Sequence, residues 1–547
     1  MMFVLYIAVS ILLLDYNEVL SCTDCEVRLD KVLTESLECK SDMIVGLSVS
    51  VVRSKEVLFT RGYGLKSLES NDTVDNNTVF GLASLSKAFA STLLVKLIEE
   101  KTKYNLDTNV STILGNDDIF YDSLRSKYAT LRDLLSHRMG IPGHNRIRMV
   151  ENMTGANLVE RLKYLRPTGG FRNSFIYNNL MYGLVTYISE QIGGDSWENL
   201  VRTHLFNPLG MTSSTFLTKV DPGSIDLAKG YYEYYGDFKP VPIDFSKHWG
   251  KLCGAGCVMS TSQDMTKWMK FWLDGGKSPN GERIISEKAF NDLIRSENVI
   301  DSSYTNTYFQ KPIFPVTNGQ TGYALAWRTG FYRGYDMIVH SGTTFGYRAF
   351  LSIFPDNDLA IFTAMTGNDP SFLYRQTLHN VIFDLYNGFD PYLNSSTICS
   401  YPEPWRNVTM YRSKPNFSHD LKAGRNISDY FGIYHNMAYG NLEIKAHEDN
   451  NKLILVFGIQ TCLLYPKPKK DEFYGDSTDL TKYVLNFETF IFTLSEDVVS
   501  LKIPVYERSD PPVFSRPIRS TNNSSDFILC IDIFCLLYVI FHHMFLL

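Results

Sequence analysis

Serine, lysine, tyrosine and asparagine stand in this chain at spacings that can build a nucleophile and its proton carriers. The first set is Ala83-Ser84-Leu85-Ser86-Lys87. Ser84 and Lys87 are three positions apart at the start of a run of helix formers, and a helix brings such positions onto one face. A serine hydroxyl is a weak nucleophile at neutral pH and needs a base. A lysine withdrawn from water holds its proton less tightly and becomes that base. The start of a helix also favours the negative charge that develops during attack.

The second set, Phe175-Ile176-Tyr177-Asn178-Asn179, puts a phenol and a carboxamide two residues apart, on one face if the segment is extended. Tyr177 there relays a proton to a leaving group, and Asn179 bonds a substrate amide and steadies Lys87. The third, Val339-His340-Ser341-Gly342-Thr343, reads as a strand end. Gly342 lets substrate come close to the strand. The backbone N–H groups of Thr343 and Ser84 then form an oxyanion hole, and His340 contacts the substrate or tunes the site. Each set alone recurs by chance: a solvated lysine, a capped helix or a surface turn explains it equally well. Their order along the chain gives them weight.

These residues need elements to hold them. An amphipathic helix is expected over 22–40, a hairpin over 44–60 around Arg53-Ser54-Lys55, and a helix from about Ser84. Further helices are expected at 131–135, 158–164, 180–192 and 197–205. Strands follow at 323–328, 336–340, 347–354 and 359–365, then a helix at 372–386. Strands, a helical insertion and strands again predict an α+β domain whose sheet is built from both ends of the segment. From 428 to about 505 only short strand-like runs occur, which predicts a separate small β domain, barrel-like.

With its three sets in this order, the chain resembles the superfamily of class C β-lactamases, D-Ala-D-Ala carboxypeptidases and related esterases, including its eukaryotic β-lactamase-related members. The similarity runs from about Val45 to Tyr386. Leu134-Leu135-Ser136-His137-Arg138-Met139-Gly140, Asn207-Pro208-Leu209-Gly210-Met211, Gly254-Ala255-Gly256 and Tyr323-Ala324-Leu325-Ala326-Trp327 look like family landmarks. The resemblance implies an antiparallel sheet with a helical subdomain, followed by the small C-terminal β domain. It implies Ser84 as the acylated nucleophile, Lys87 as its basic partner, Tyr177 as proton relay and Asn179 as substrate and lysine anchor. No cofactor and no metal are implied. His340 stands where many members carry lysine, which removes a fixed cation and weakens any expectation of β-lactam carboxylate binding. The expected activity is hydrolysis of a peptide or ester through an acyl-Ser84 intermediate. The alternative is a catalytically silent relative used for binding or assembly.

The ends differ from the middle. An apolar run over Phe3–Leu14 reads as a signal peptide, placed at 1–21, ahead of a catalytic domain at 22–388. A Pro-, Ser- and Asn-rich linker at 389–420, the β domain at 421–510 and a second linker at 511–526 follow. The apolar tail 527–547 is either a membrane anchor or a glycolipid-attachment signal. Sequons at Asn71, Asn76, Asn109, Asn152, Asn394, Asn407, Asn416, Asn426, Asn522 and Asn523 fit a glycoprotein of the secretory pathway, extracellular or held at the cell surface. Among 9 cysteines, Cys22-x-x-Cys25 has no second pair at zinc-site spacing, so disulfides are expected rather than a metal. A net charge of −6 without a lysine or arginine run argues against nucleic acid as a partner. The β domain offers a surface for self-association.

Overall fold

In a computed structural model of the chain, the described residues are 24–234, 237–300, 316–369, 372–401, 421–448, 452–477, 486–495 and 498–517. The signal-peptide region and the apolar tail lie outside them. No helix among the described residues is long and apolar enough to cross a membrane.

The strands Ile44–Val52 and Leu359–Gly367 are the centre of the molecule, and every one of their residues is buried. Strands buried along their whole length are covered on both faces. They pair with each other in an antiparallel sheet of 8 strands. Beyond Ile44–Val52 lies the edge strand Val57–Gly64. Beyond Leu359–Gly367 come Tyr347–Phe354, Tyr335–Thr343, Arg328–Tyr332, Asn318–Tyr323 and the short Asn298–Val299. The sheet is thus built from both ends of the segment, as the pattern of strands and helices implied.

One face carries the helices Cys25–Cys39 and Leu373–Tyr386, whose Leu29, Leu33, Leu378 and Ile382 pack on Leu47, Val49 and Phe350. The other face carries Ser262–Leu273 and the helical region. At the centre of that region lie Ser86–Lys101 and Asn179–Gly193. Ser86–Lys101 is free of Gly and Pro and apolar nearly all round, the pattern of a helix enclosed by protein. A disulfide joins Cys39 to Cys399, and another joins Cys253 to Cys257. Cys462, buried in the C-terminal domain, takes part in neither.

The C-terminal domain is a closed barrel of 8 antiparallel strands, from Gly432–Asn436 to Val513–Pro517. Alternate inward residues, among them Tyr434, Leu455, Phe473, Phe490 and Phe514, fill its interior.

Three details depart from the sequence reading. Tyr323–Trp327 is a strand end followed by a tight turn. Ala324 N donates to Trp327 O at 2.7 Å, and Arg328 begins the next strand. An unbroken apolar run does not reveal such a turn, because its residues are buried either way. The last barrel strand, Val513–Pro517, lies inside the stretch read as the second linker; its neighbours Pro511 and Pro512 resemble linker composition while ending at a strand start, where proline is tolerated. The first linker begins with a short helix, Ser395–Ser400, which Cys399 ties to the N-terminal helix.

Candidate active site

Ser84 sits in the 3₁₀ turn Ala83–Leu85, which leads directly into the helix Ser86–Lys101. The strand Val258–Ser260 grips this turn. Leu82 N donates to Val258 O at 2.9 Å, and Val258 N donates to Ser86 Oγ at 2.9 Å. Ala83 has φ 48°, a left-handed conformation that costs a non-glycine residue about 1–2 kcal/mol. The turn that presents Ser84 therefore holds strain, imposed by the packing around it.

Lys87 is completely buried (0% exposed), and three oxygens surround its Nζ: Ser84 Oγ at 3.1 Å, Asn179 Oδ1 at 2.6 Å and Ala255 O at 2.8 Å. The amide and carbonyl oxygens only accept, so two N–H groups are committed to them. The remaining direction faces Ser84. Burial, with the positive charge of Arg148 second, holds the Lys87 ammonium well below its ordinary 10.5. In the neutral amine the direction facing Ser84 is a lone pair, a group able to accept a hydroxyl proton.

Asn178 caps the helix Asn179–Gly193 with its side chain, accepting from Leu180 N and Met181 N, and so fixes the residues on either side of it. The segment is a helix cap rather than an extended strand, yet both neighbours reach Lys87. Asn179 does so by its hydrogen bond, and the Tyr177 ring centre lies 4.8 Å from Nζ. His137 backs this segment. Its Nδ1 accepts from Asn178 N at 3.2 Å, and its ring centre lies 4.3 Å from that of Tyr177. Burial, then the charge of Lys87, keeps His137 well below 6.5 and neutral.

The third set behaves differently from its expected use. His340 is 2% exposed and turned into the protein. Its Nδ1 lies 2.8 Å from Ser341 O, a pure acceptor, so Nδ1 carries the proton and Nε2 accepts from the Tyr323 hydroxyl at 3.0 Å. Burial, then Arg328 and Lys87, hold it well below 6.5. This imidazole adds no fixed cation. At Gly342 an added Cβ would stand 2.2 Å from Leu82 O, so the space above the strand is taken by the residue leading into the Ser84 turn. Thr343 is exposed and lines the cleft together with Ser84, Asn179, Ala255 and Gly256.

Sequence reasoning gave no site role to three residues that shape this cleft. Ala255 supplies a carbonyl to Lys87 from the loop closed by Cys253–Cys257. Arg375, fully buried on the helix Leu373–Tyr386, donates to Gly342 O at 2.6 Å, Ala349 O at 2.5 Å and Asp369 Oδ2 at 2.6 Å. Arg148 lines the cleft itself. The Gly-Ala-Gly run was the one available signal for Ala255; the two arginines carry none. Among the described residues no group of three or more His, Cys, Asp or Glu side chains is placed to hold a metal ion.

A sequence profile of the family described as Beta-lactamase matches residues 29–382. Gigasin-6 of Magallana gigas is 38% identical over 244 residues, 44% of this chain and 80% of that protein. Unguisins hydrolase ungD of Aspergillus violaceofuscus is 28% identical over 432 residues, 75% of each chain. Among solved structures, the octameric penicillin-binding protein homologue from Pyrococcus abyssi superposes with a TM-score of 0.55 at 19% identity, over 89% of this chain and 99% of that one.

Proposed function

The chain belongs to the beta-lactamase family, and on that premise we propose that it is a serine hydrolase cleaving an amide or ester of a small molecule or peptide through an acyl group carried on Ser84. Members of the family are serine hydrolases of amides and esters, and one relative is named as a hydrolase of unguisins. The observation that carries the reading is the setting of Lys87. Its two committed N–H bonds aim the third direction of a deprotonation-prone amine at Ser84 Oγ.

In this reading Lys87 takes the Ser84 proton as Oγ bonds to the substrate carbonyl carbon. The carbonyl oxygen becomes an oxyanion, stabilised by the N–H groups of Ser84 and Thr343. As the tetrahedral centre collapses, the C–N or C–O bond breaks and the leaving group takes a proton from Lys87 by way of Tyr177. Water then adds to the acyl-Ser84 carbonyl, giving a proton to the Lys87–Tyr177 pair. The bond from carbon to Oγ breaks, Oγ takes that proton back from the pair, and the acid departs with Ser84 restored. Asn179 holds Lys87 and offers its amide to the substrate. The disulfides Cys39–Cys399 and Cys253–Cys257 and the exposed sequon residues Asn71, Asn152, Asn394 and Asn426 support maturation in the secretory pathway.

The test is labelling of the purified chain with a fluorophosphonate probe, followed by peptide mass spectrometry. The expected result is one adduct on Ser84 and none in Ser84→Ala. A folded protein that takes no Ser84-dependent label would end the hydrolase reading.

A further inference from the structure

The wall of the Ser84 cleft holds a buried guanidinium. Among the described residues that line the cleft, Arg148 is the one charged side chain, and it is only 7% exposed. Asn145 and His248 hold it. Its Nε and Nη2 donate to Asn145 O and Asn145 Oδ1, each at 3.4 Å. Asn145 Oδ1 in turn accepts from Asn179 Nδ2 at 2.8 Å, so the guanidinium stands on the Asn179 side of the cleft. The Arg148 carbonyl accepts from His248 Nε2 at 3.0 Å, which ties its backbone to the helix Ile243–Trp249.

Burying a cation is costly. The cost registers here: burial first, then the nearby Arg146, lowers Arg148 to about 9. A guanidinium nevertheless keeps its charge at neutral pH, and with Nε and Nη2 held by Asn145 that charge stands at a fixed place in the cleft wall, where it attracts a carboxylate. Such a group in a cleft wall is placed where an anion can be met with little rearrangement. His340, at the strand end beside the cleft, is neutral, so the charge in the cleft wall comes from the 3₁₀ turn Asn145–Met149.

We propose that Arg148 is the anion-binding residue of the Ser84 cleft, and that the physiological substrate carries a carboxylate, or a comparable anionic group, that docks on it. The inference rests on the hydrolase reading for the word substrate but not for the binding itself. The docked anion has a second effect. Arg148 helps hold Lys87 deprotonated, so neutralising Arg148 with a bound carboxylate lets the Lys87 pKa rise in the complex. For an anionic substrate the acid limb of kcat, which reports the complex, then lies at higher pH than that of kcat/KM, which reports the free enzyme. For a neutral substrate the two limbs coincide.

The experiment uses the purified full chain and two pairs of aryl esters. In one pair the acyl group ends in a carboxylate or its methyl ester; in the other the leaving group bears a carboxylate or its carboxamide. In one pair the acid form is expected to exceed its neutral partner in kcat/KM by about tenfold or more, the worth of a charge-assisted bond. In Arg148→Gln the acid-to-neutral ratio falls to about one, whatever the absolute rate; Arg148→Lys keeps part of it. Equal turnover of acid and neutral forms in both pairs by the wild type overturns the proposal without need of any variant. So does a preference that survives in a folded Arg148→Gln. If no ester is turned over, the fluorophosphonate label on Ser84 decides the hydrolase reading separately. The same pairs are then titrated calorimetrically onto the wild type: tighter binding of an acid form supports the proposal, and equal binding overturns it.

Discussion

Lys87 has three neighbours and one job they permit. Two of its bonds end on oxygens that cannot donate, so its charge state decides what Ser84 meets: an N–H when protonated, a lone pair when neutral. Burial and Arg148 both push toward the neutral form. The proposed reaction needs that form, so kcat/KM should rise as pH increases through the Lys87 pKa and level off above it. Because the pKa is lowered, the rise falls well below pH 10.5. A pH profile with a chromogenic ester measures it, and Lys87→Ala should lose about 10²–10⁴ in kcat/KM. An unchanged rate in Lys87→Ala would remove lysine from the mechanism. At this scale the sequence was informative where the chemistry is local. Ser84 and Lys87 share one helix turn, and Tyr177 and Asn179 flank one cap. Ala255 by its carbonyl and Arg148 by its charge act on Lys87 from distant parts of the chain; the Gly-Ala-Gly run is the one local sign of Ala255, and nothing foretells Arg148. His340 was legible as a position but not as a neutral, inward-facing ring, because Tyr323 sets its direction from another strand.

Arg375 shows how an element far from the cleft shapes it. The strands Tyr335–Thr343 and Tyr347–Phe354 place Gly342 opposite Ala349, and the carbonyls of both accept from the same Arg375 nitrogen. Asp369 accepts from its Nε, and also from Tyr374 N and Arg375 N at the start of the helix Leu373–Tyr386. One side chain therefore joins the helix start to the strand end that carries Thr343. Arg375→Met keeps the volume but leaves a buried carboxylate and two buried carbonyls without their partner. Removing one member of such a pair costs about 3–5 kcal/mol. A lower urea midpoint is expected, with part of the loss recovered in Arg375→Met/Asp369→Asn. A midpoint equal to wild type in the single variant would contradict this account of the strand end. Strand and helix periodicity made the sheet legible as a set of elements. The pin between them was hidden: an arginine inside a helix pattern reads as a solvent-facing residue until the packing is known.

The barrel and the first domain meet at the segment 143–149, whose 3₁₀ turn Asn145–Met149 carries Asn145 and Arg148. Ile459 N donates to Met149 O at 3.1 Å, and Arg161 Nη1 donates to Ala438 O at 2.6 Å. A Cβ on Gly458 would stand 1.9 Å from Met149 O. His144 is enclosed by barrel residues: its N–H donates to Glu507 Oε2 at 3.1 Å, Nδ1 lies 3.0 Å from the Tyr439 hydroxyl, and Nε2 lies 3.8 Å from Asp510 Oδ2. The segment that shapes the cleft is thus held from behind by the second domain. Acid should loosen it. Burial lowers His144 below 6.5 despite Glu507 and Asp510, so stability is lost as pH falls from that value toward its folded pKa. Burial raises Glu507, but hydrogen bonds from Ser509 outweigh it, and the net pKa lies below 4.5. Its contribution is present above 4.5 and is lost as pH falls through the folded value, in the same direction as that of His144. At fixed neutral pH, Glu507→Gln removes the charge-assisted bond, worth about 1.5–3 kcal/mol. Hydrogen exchange at the His144 amide should then speed up by about tenfold or more, while amides in the barrel ladder keep their protection. Gly458→Ala, which forces the turn away from Met149, should expose the same segment by a second route, and kcat/KM should fall in both variants because Asn145 bonds Asn179, which bonds Lys87. Unchanged exchange over 144–149 in both would mean that the first domain holds this segment by itself and that the barrel serves some other end.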